Sequence, residues 1–194
     1  MKTLSLMKSS LALSALAFTA AFPQQALAIT FDYLWTGNAG YSASGAFGYD
    51  ETTAPTILSE SGAGPTNYLN FLNVSFFDPS NNRLQSFDTV DAGVSQSPFF
   101  KFNFDTSTHT LFGAFDVGGG TFVIGEQFLQ GTIGSLLELK QDIDQMGASV
   151  VLDQNSGEIT VSERTSVPEP TTLSLGLLGL GLLGLGLTGK RAVS

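Results

Sequence analysis

Hydrophobic and polar residues alternate through most of this chain, and the alternation predicts strands. Ile29, Phe31, Tyr33 and Trp35 fall on one face of an extended stretch, and Gly37-Asn38-Ala39-Gly40 follows as a turn. Tyr41, Ala43, Gly45, Phe47 and Tyr49 are in phase on a return strand. Asp50 to Thr66 reads as a long polar loop holding a short strand at Thr56-Ile57-Leu58. A long strand spans Asn67 to Phe77. It is stopped by the turn residues Asp78-Pro79-Ser80-Asn81-Asn82, after which Arg83 to Phe87 pairs back and Asp88 to Pro98 is loop.

Phe100, Phe102 and Phe104 mark the clearest strand, Phe99 to Phe104; Asp105-Thr106-Ser107-Thr108 turns it into a hairpin partner, His109 to Val117. Gly118-Gly119-Gly120 is a turn or bulge, and Thr121 to Gly131 is a further strand. Leu136, Leu139, Ile143 and Met146 fit helical spacing, which predicts one short helix bounded by glycines. Val150-Val151-Leu152 and Ile159-Thr160-Val161 flank Asp153 to Gly157 as a closing hairpin. Eight or nine short aromatic and β-branched strands predict an all-β body over 29–166, an antiparallel β-sandwich or jelly roll, with a barrel as the second choice.

Both ends break this pattern. Lys2 and Lys8 precede an apolar run, Leu11 to Phe22, and Ala26-Leu27-Ala28 supplies a small-x-small cleavage pattern, with Ala26 and Ala28 as its small residues. Residues 1–28 therefore read as a signal peptide, cut by signal peptidase to leave Ile29 first. At the other end, Val167-Pro168-Glu169-Pro170 leads into Thr171 to Gly189, a run of nine Leu, six Gly, three Thr and one Ser. Nineteen helical residues cover roughly 28 Å, enough for a hydrocarbon core of about 30 Å. Lys190 and Arg191 then form a basic stop that favours the cytoplasmic side and leaves the body outside. The G-x-G-x-x-G spelled by Gly179 to Gly184 has no strand before it and no acid about twenty residues on, so it is not a dinucleotide site.

This tail, residues 167–194, resembles the PEP-CTERM sorting domain: a Pro-Glu-Pro motif, a Leu/Gly-rich helix and a terminal basic pair. The resemblance implies recognition through Pro168, Glu169 and Pro170 and cleavage by an exosortase, a transpeptidase-like membrane enzyme. It also implies a bacterial envelope setting in which exopolysaccharide is a partner to consider. The protein would be anchored transiently in the inner membrane and then reach the envelope or the extracellular space.

Charge and composition narrow the body's role. The 29–166 body holds 16 acids against four bases (Arg83, Lys101, Lys140 and Arg164), a surplus of 12 negative charges, which excludes phosphate-backbone binding and hence nucleic acid. There is no cysteine, so neither disulfides nor thiol chemistry are available and the fold must rest on its core. His109 is the one histidine; a catalytic triad or a His-metal site would need it, but a solvated strand residue is the commoner role.

Asp50 with Glu51, Asp88 with Asp91, and Asp142 with Asp144 are the nearest acid pairs, and none sits in a calcium-loop pattern. Neither a catalytic residue nor a metal ligand nor a cofactor is assigned. Tyr33 and Trp35 share a face that could stack on sugars, although core packing is the more common use of such residues. The resulting expectation is a non-enzymatic envelope or matrix protein of structural or adhesive role. A carbohydrate-binding module is the alternative, and a two-carboxylate polysaccharide hydrolase comes third.

Overall fold

A computed structural model describes residues 28–164. Every strand pair in it is antiparallel, and the strands form two sheets that face each other across one core. The first sheet takes β1 (Ala28–Thr36) and β2 (Ser42–Asp50), a hairpin around Gly37, then β5 (Leu69–Phe77), β6 (Arg83–Asp91), β7 (Val94–Ser95) and β4 (Gly64–Pro65). Its other edge is β14 (Thr160–Glu163), beside β1. The second sheet runs β13 (Ser149–Asn155), β12 (Leu136–Asp142), β11 (Gln127–Ile133), β10 (Gly113–Gly118), β8 (Lys101–Asp105) and β3 (Ile57–Ser61), with β9 (Thr110–Leu111) also on β8.

The alternation decides which face each strand buries. Phe31, Tyr33 and Trp35 of β1 and Ala43, Phe47 and Tyr49 of β2 point inward, opposite Phe102 and Phe104 of β8 and Phe115 of β10. Phe47 meets Phe102 and Phe104 edge-on, each at 4.9 Å between ring centres, and Phe31 meets Phe104 at 4.9 Å. Each ring removed from water contributes about 1.5–3 kcal/mol, and edge-on pairing adds to it. Tyr33 crosses the sheet at Gly45, where a Cβ would come within 2.5 Å of the phenol oxygen, and its hydroxyl donates to the Asn73 carbonyl at 2.8 Å. Burial holds that phenol's pKa well above the ordinary range.

Four expectations need correction. The stretch with helical spacing is strand β12: Leu137 and Leu139 are buried at period two, while Ile143 and Met146 lie exposed beyond the strand's end. Gly134, at φ +81°, makes the two-residue turn that pairs β12 with β11, and a strand paired on both sides has no room for a helix.

The closing hairpin does not form. β13 pairs with β12 and β14 with β1, so the chain switches sheets between Asn155 and Thr160. The Asn155 side-chain amide makes this corner by donating to the carbonyls of Thr36 and Glu158.

Asp88 to Asp91 continues β6, and Ala92-Gly93, both with positive φ, is a two-residue hairpin turn into β7. Thr121 to Glu126 is loop, with Phe122 at φ +65°, so β11 starts only at Gln127.

Phe47 is the ring that touches both sheets most directly, so Phe47→Ala is expected to destabilise the body by about 3–5 kcal/mol. Urea unfolding followed by Trp35 fluorescence measures it.

Candidate functional site

The solvent side of the first sheet carries a groove of about 570 Å³ across β14, β1, β2 and β5. The outward residues fall in rows because the register aligns them: Thr160, Leu34, Ser44 and Ser75 in one, Ser162, Asp32, Ala46 and Asn73 in the next. Ser44, Ala46 and Ser75 are small, and they make the floor. Arg164 forms one wall by gripping both carboxylate oxygens of Asp32 through Nε and Nη2. Phe71 forms the other, its ring lying over Gly48, where a Cβ would come within 2.4 Å of it. Asn73 is held by the Ala46 N–H, which donates to its Oδ1 at 3.1 Å.

This surface offers hydroxyls, an amide, a fixed acid–base fork and one partly exposed ring. It suits a ligand rich in hydroxyl groups. Among the described residues, Asp32 is the only carboxylate lining it, and Arg164 occupies that group.

The sequence did not single out the groove, because its residues are ordinary serines, threonines and a leucine until register aligns them. The signal present was the run of small residues at outward positions of β2, next to Gly45 and Gly48.

Ala28 is the first described residue and already belongs to β1. Ala26, Pro168, Glu169, Pro170, Lys190 and Arg191 lie outside the described residues, as do the signal peptide up to residue 27 and the 171–189 helix. Tyr33 and Trp35 are buried core residues. Exposed aromatics do meet elsewhere: Phe99 and Phe122 stand 5.2 Å apart on loops, beside exposed Val123 and Ile124. His109 sits at φ +54° with its ring edge-on to Phe31 at 4.9 Å and its Nδ1 3.9 Å from Glu163.

Most acids outside the groove organise backbone. Asp50, Asp78 and Asp105 each accept N–H groups two to four residues on, and hydrogen bonds from Thr52, Asn82 and Ser107 hold their pKa values below the usual range. Asp153 is buried and accepts from Ala39 and Tyr41, closing the β1–β2 turn; Glu60 does the same for Asn67 and Tyr68. Among the described residues, no three His, Asp or Glu side chains converge as metal ligands.

With that geometry in place, the class is an all-β antiparallel domain joined to a terminal sorting signal. Residues 166–191 match the family described as the PEP-CTERM protein-sorting motif. The motif marks an exported protein that carries a membrane-anchored sorting signal and has an exosortase as its processing partner. No curated protein and no solved structure matches the chain.

Asp116, on the solvent side of β10, gives a pH test. Desolvation raises its carboxyl to about 7 although Lys101 and Lys140 oppose the shift. A carboxyl with a raised folded pKa favours the folded state below its unfolded value near 4, and this contribution is lost as pH climbs towards 7. Asp116→Asn is therefore expected to raise Tm at pH 8, with the gain shrinking to nothing by pH 4; thermal melts across that range check it.

Proposed function

We propose that this is an exosortase-sorted protein of the bacterial envelope or extracellular matrix whose body has a structural or adhesive role rather than an enzymatic one. The observation that carries the reading is the pairing of a sorting motif at residues 166–191 with a sheet-wide polar groove whose wall, Arg164, adjoins that motif in sequence. A leader at 1–28, removed by signal peptidase, and a span at 171–189 stopped by Lys190 and Arg191 complete the route. The chain is held first in the inner membrane with its C-terminus cytoplasmic, and then passed outward.

The groove favours a second, sharper reading: a carbohydrate-binding module acting on exopolysaccharide. Hydroxyls from Ser44, Ser75, Thr160 and Ser162, the Asn73 amide and the Phe71 ring are the groups that a sugar's hydroxyls and apolar face require. Hydrolysis has less support, since a two-acid mechanism needs a second carboxylate within roughly 5–9.5 Å and, among the described residues, the groove contributes Asp32 alone.

Intact mass of the protein from envelope and medium tests the address. Loss of residues 1–28 and a new C-terminus near Pro168-Glu169-Pro170 are expected; a tail retained through Ser194 in every fraction would sink exosortase processing. For the groove, Phe71→Ala and Asp32→Ala are each expected to weaken retention on immobilised host polysaccharide about tenfold, roughly 1.4 kcal/mol. Unchanged retention in both would leave the adhesive reading without its groove.

A further inference from the structure

Each sheet has two edges, and among the described residues three of the four carry a device against further pairing. β4 is two residues long and contains Pro65, which has no N–H to offer. β14 is four residues long and ends on Glu163, beside the Asp32–Arg164 fork. On β3, Glu60 turns inward and takes the N–H groups of Asn67 and Tyr68, drawing that loop against the strand. Shortness, proline, charge and cover are the means by which sheets blunt their edges.

β13 is the exception. It is seven residues long, and neither charge nor proline occurs between Asp144 and Asp153. Its far end is covered, since the Asn38 N–H of the β1–β2 turn donates to the Gln154 carbonyl at 2.9 Å. The near end, Ser149 to Leu152, has β12 as its one partner strand among the described residues. Alternate residues there turn both backbone groups away from β12, leaving donors and acceptors facing outward. Val150 and Val151 are each 43% exposed. Neighbours on a strand point to opposite faces, so both faces of β13 are bare at this end. The preceding turn adds exposed Ile143 and Met146, and the Phe122 ring lies over Gly147.

The chemistry of this edge selects its occupant. A lipid surface does not suit it, because backbone groups left unpaired in hydrocarbon cost several kcal/mol each. The body, with 16 acids against four bases, repels a second copy over most of its surface. Along β13 that repulsion is weakest. Gln145 to Leu152 carries no charge, and the Asp144 carboxylate is occupied by the N–H groups of Met146 and Ala148. The segment is also its own complement: turned antiparallel about a two-fold axis, it sets apolar side chains together on both faces and donors against acceptors between them.

We infer that β13 is a pairing edge and that its partner is the β13 of a second copy of this chain, joined antiparallel across a two-fold axis. The second sheets of the two copies then run into one another as a single sheet. The groove lies on the first sheet and stays open in both copies, so the pair presents two of them.

The lack of cysteine gives a clean test on the full-length chain in detergent. Ser149, Val150, Val151 and Leu152 are replaced by cysteine one at a time, with Ile57→Cys, a residue of similar exposure on β3, as the control. Two-fold pairing sets one residue opposite its own copy, with about 4.5–5.5 Å between Cβ atoms, which a disulfide can bridge with little movement. Oxidation is expected to link one of the four positions at least about tenfold faster than the control. In sedimentation equilibrium, Val151→Lys and Val150→Lys are each expected to weaken pairing at least about tenfold with Tm unchanged, since a lysine on an exposed edge disturbs the fold little.

Linkage no faster at any of the four positions than at Ile57, or a dimer that both lysine variants keep, would overturn the inference. So would a wild-type chain that stays monomeric up to about 1 mM, or an unlike protein found on β13 in place of a second copy.

Discussion

The packing of phenylalanine rings between the two sheets is the interaction on which everything else depends. No cysteine is present to staple the body, so the inward faces of β1, β2, β8 and β10 must hold it together. Phe31, Phe47, Phe102 and Phe104 interlock at edge-on distances, and the register of every strand that carries them is fixed by that requirement. A slip of one residue in β1 would turn Phe31, Tyr33 and Trp35 to water and Asp32 and Leu34 into the core. The outward rows of the groove are the other side of the same constraint. They exist because the inward rows cannot move.

The acidity of the body has a structural share as well. Carboxylates serve as acceptors for the backbone donors that turns leave open, at Asp50, Asp78, Asp105 and Asp144 on the surface and at Glu60 and Asp153 under the loops. In a chain of short strands and tight connections, such donors recur at nearly every reversal. The composition thus points to no ligand, since many of its charges are occupied within the fold.

What could be read from the residues follows from how local each signal is. Phe100, Phe102 and Phe104 alternate visibly, and Asp78 to Asn82 spells its own turn, so those elements were legible. The β12 strand was not, because Leu136, Leu139 and Ile143 matched a helical period by chance while the informative pair was Leu137 and Leu139. The parting of β13 and β14 was hidden for a different reason: two strands around a Gly-containing turn look alike whether they pair with each other or with opposite sheets. Only the Asn155 corner decides. The groove needed register across four strands, which no local window contains. The sorting motif was the most legible feature, since its recognition depends on sequence order rather than on folding.

The shortness of β14 has a mechanical side. Were the chain anchored by its tail and loaded at the groove, the pull would reach the described body at Arg164, at the end of a four-residue strand whose one partner among the described residues is β1. A pull directed off the sheet peels such a strand one hydrogen bond at a time, whereas a strand pulled along its length must break all its bonds together. The Asp32–Arg164 fork stands at the point where peeling would start, so it acts as the rivet at the free end of a seam. If the seam parts, it takes Thr160, Ser162 and Arg164 away from the groove and hands the chain five more residues of slack. The body would yield there before its aromatic core felt the load.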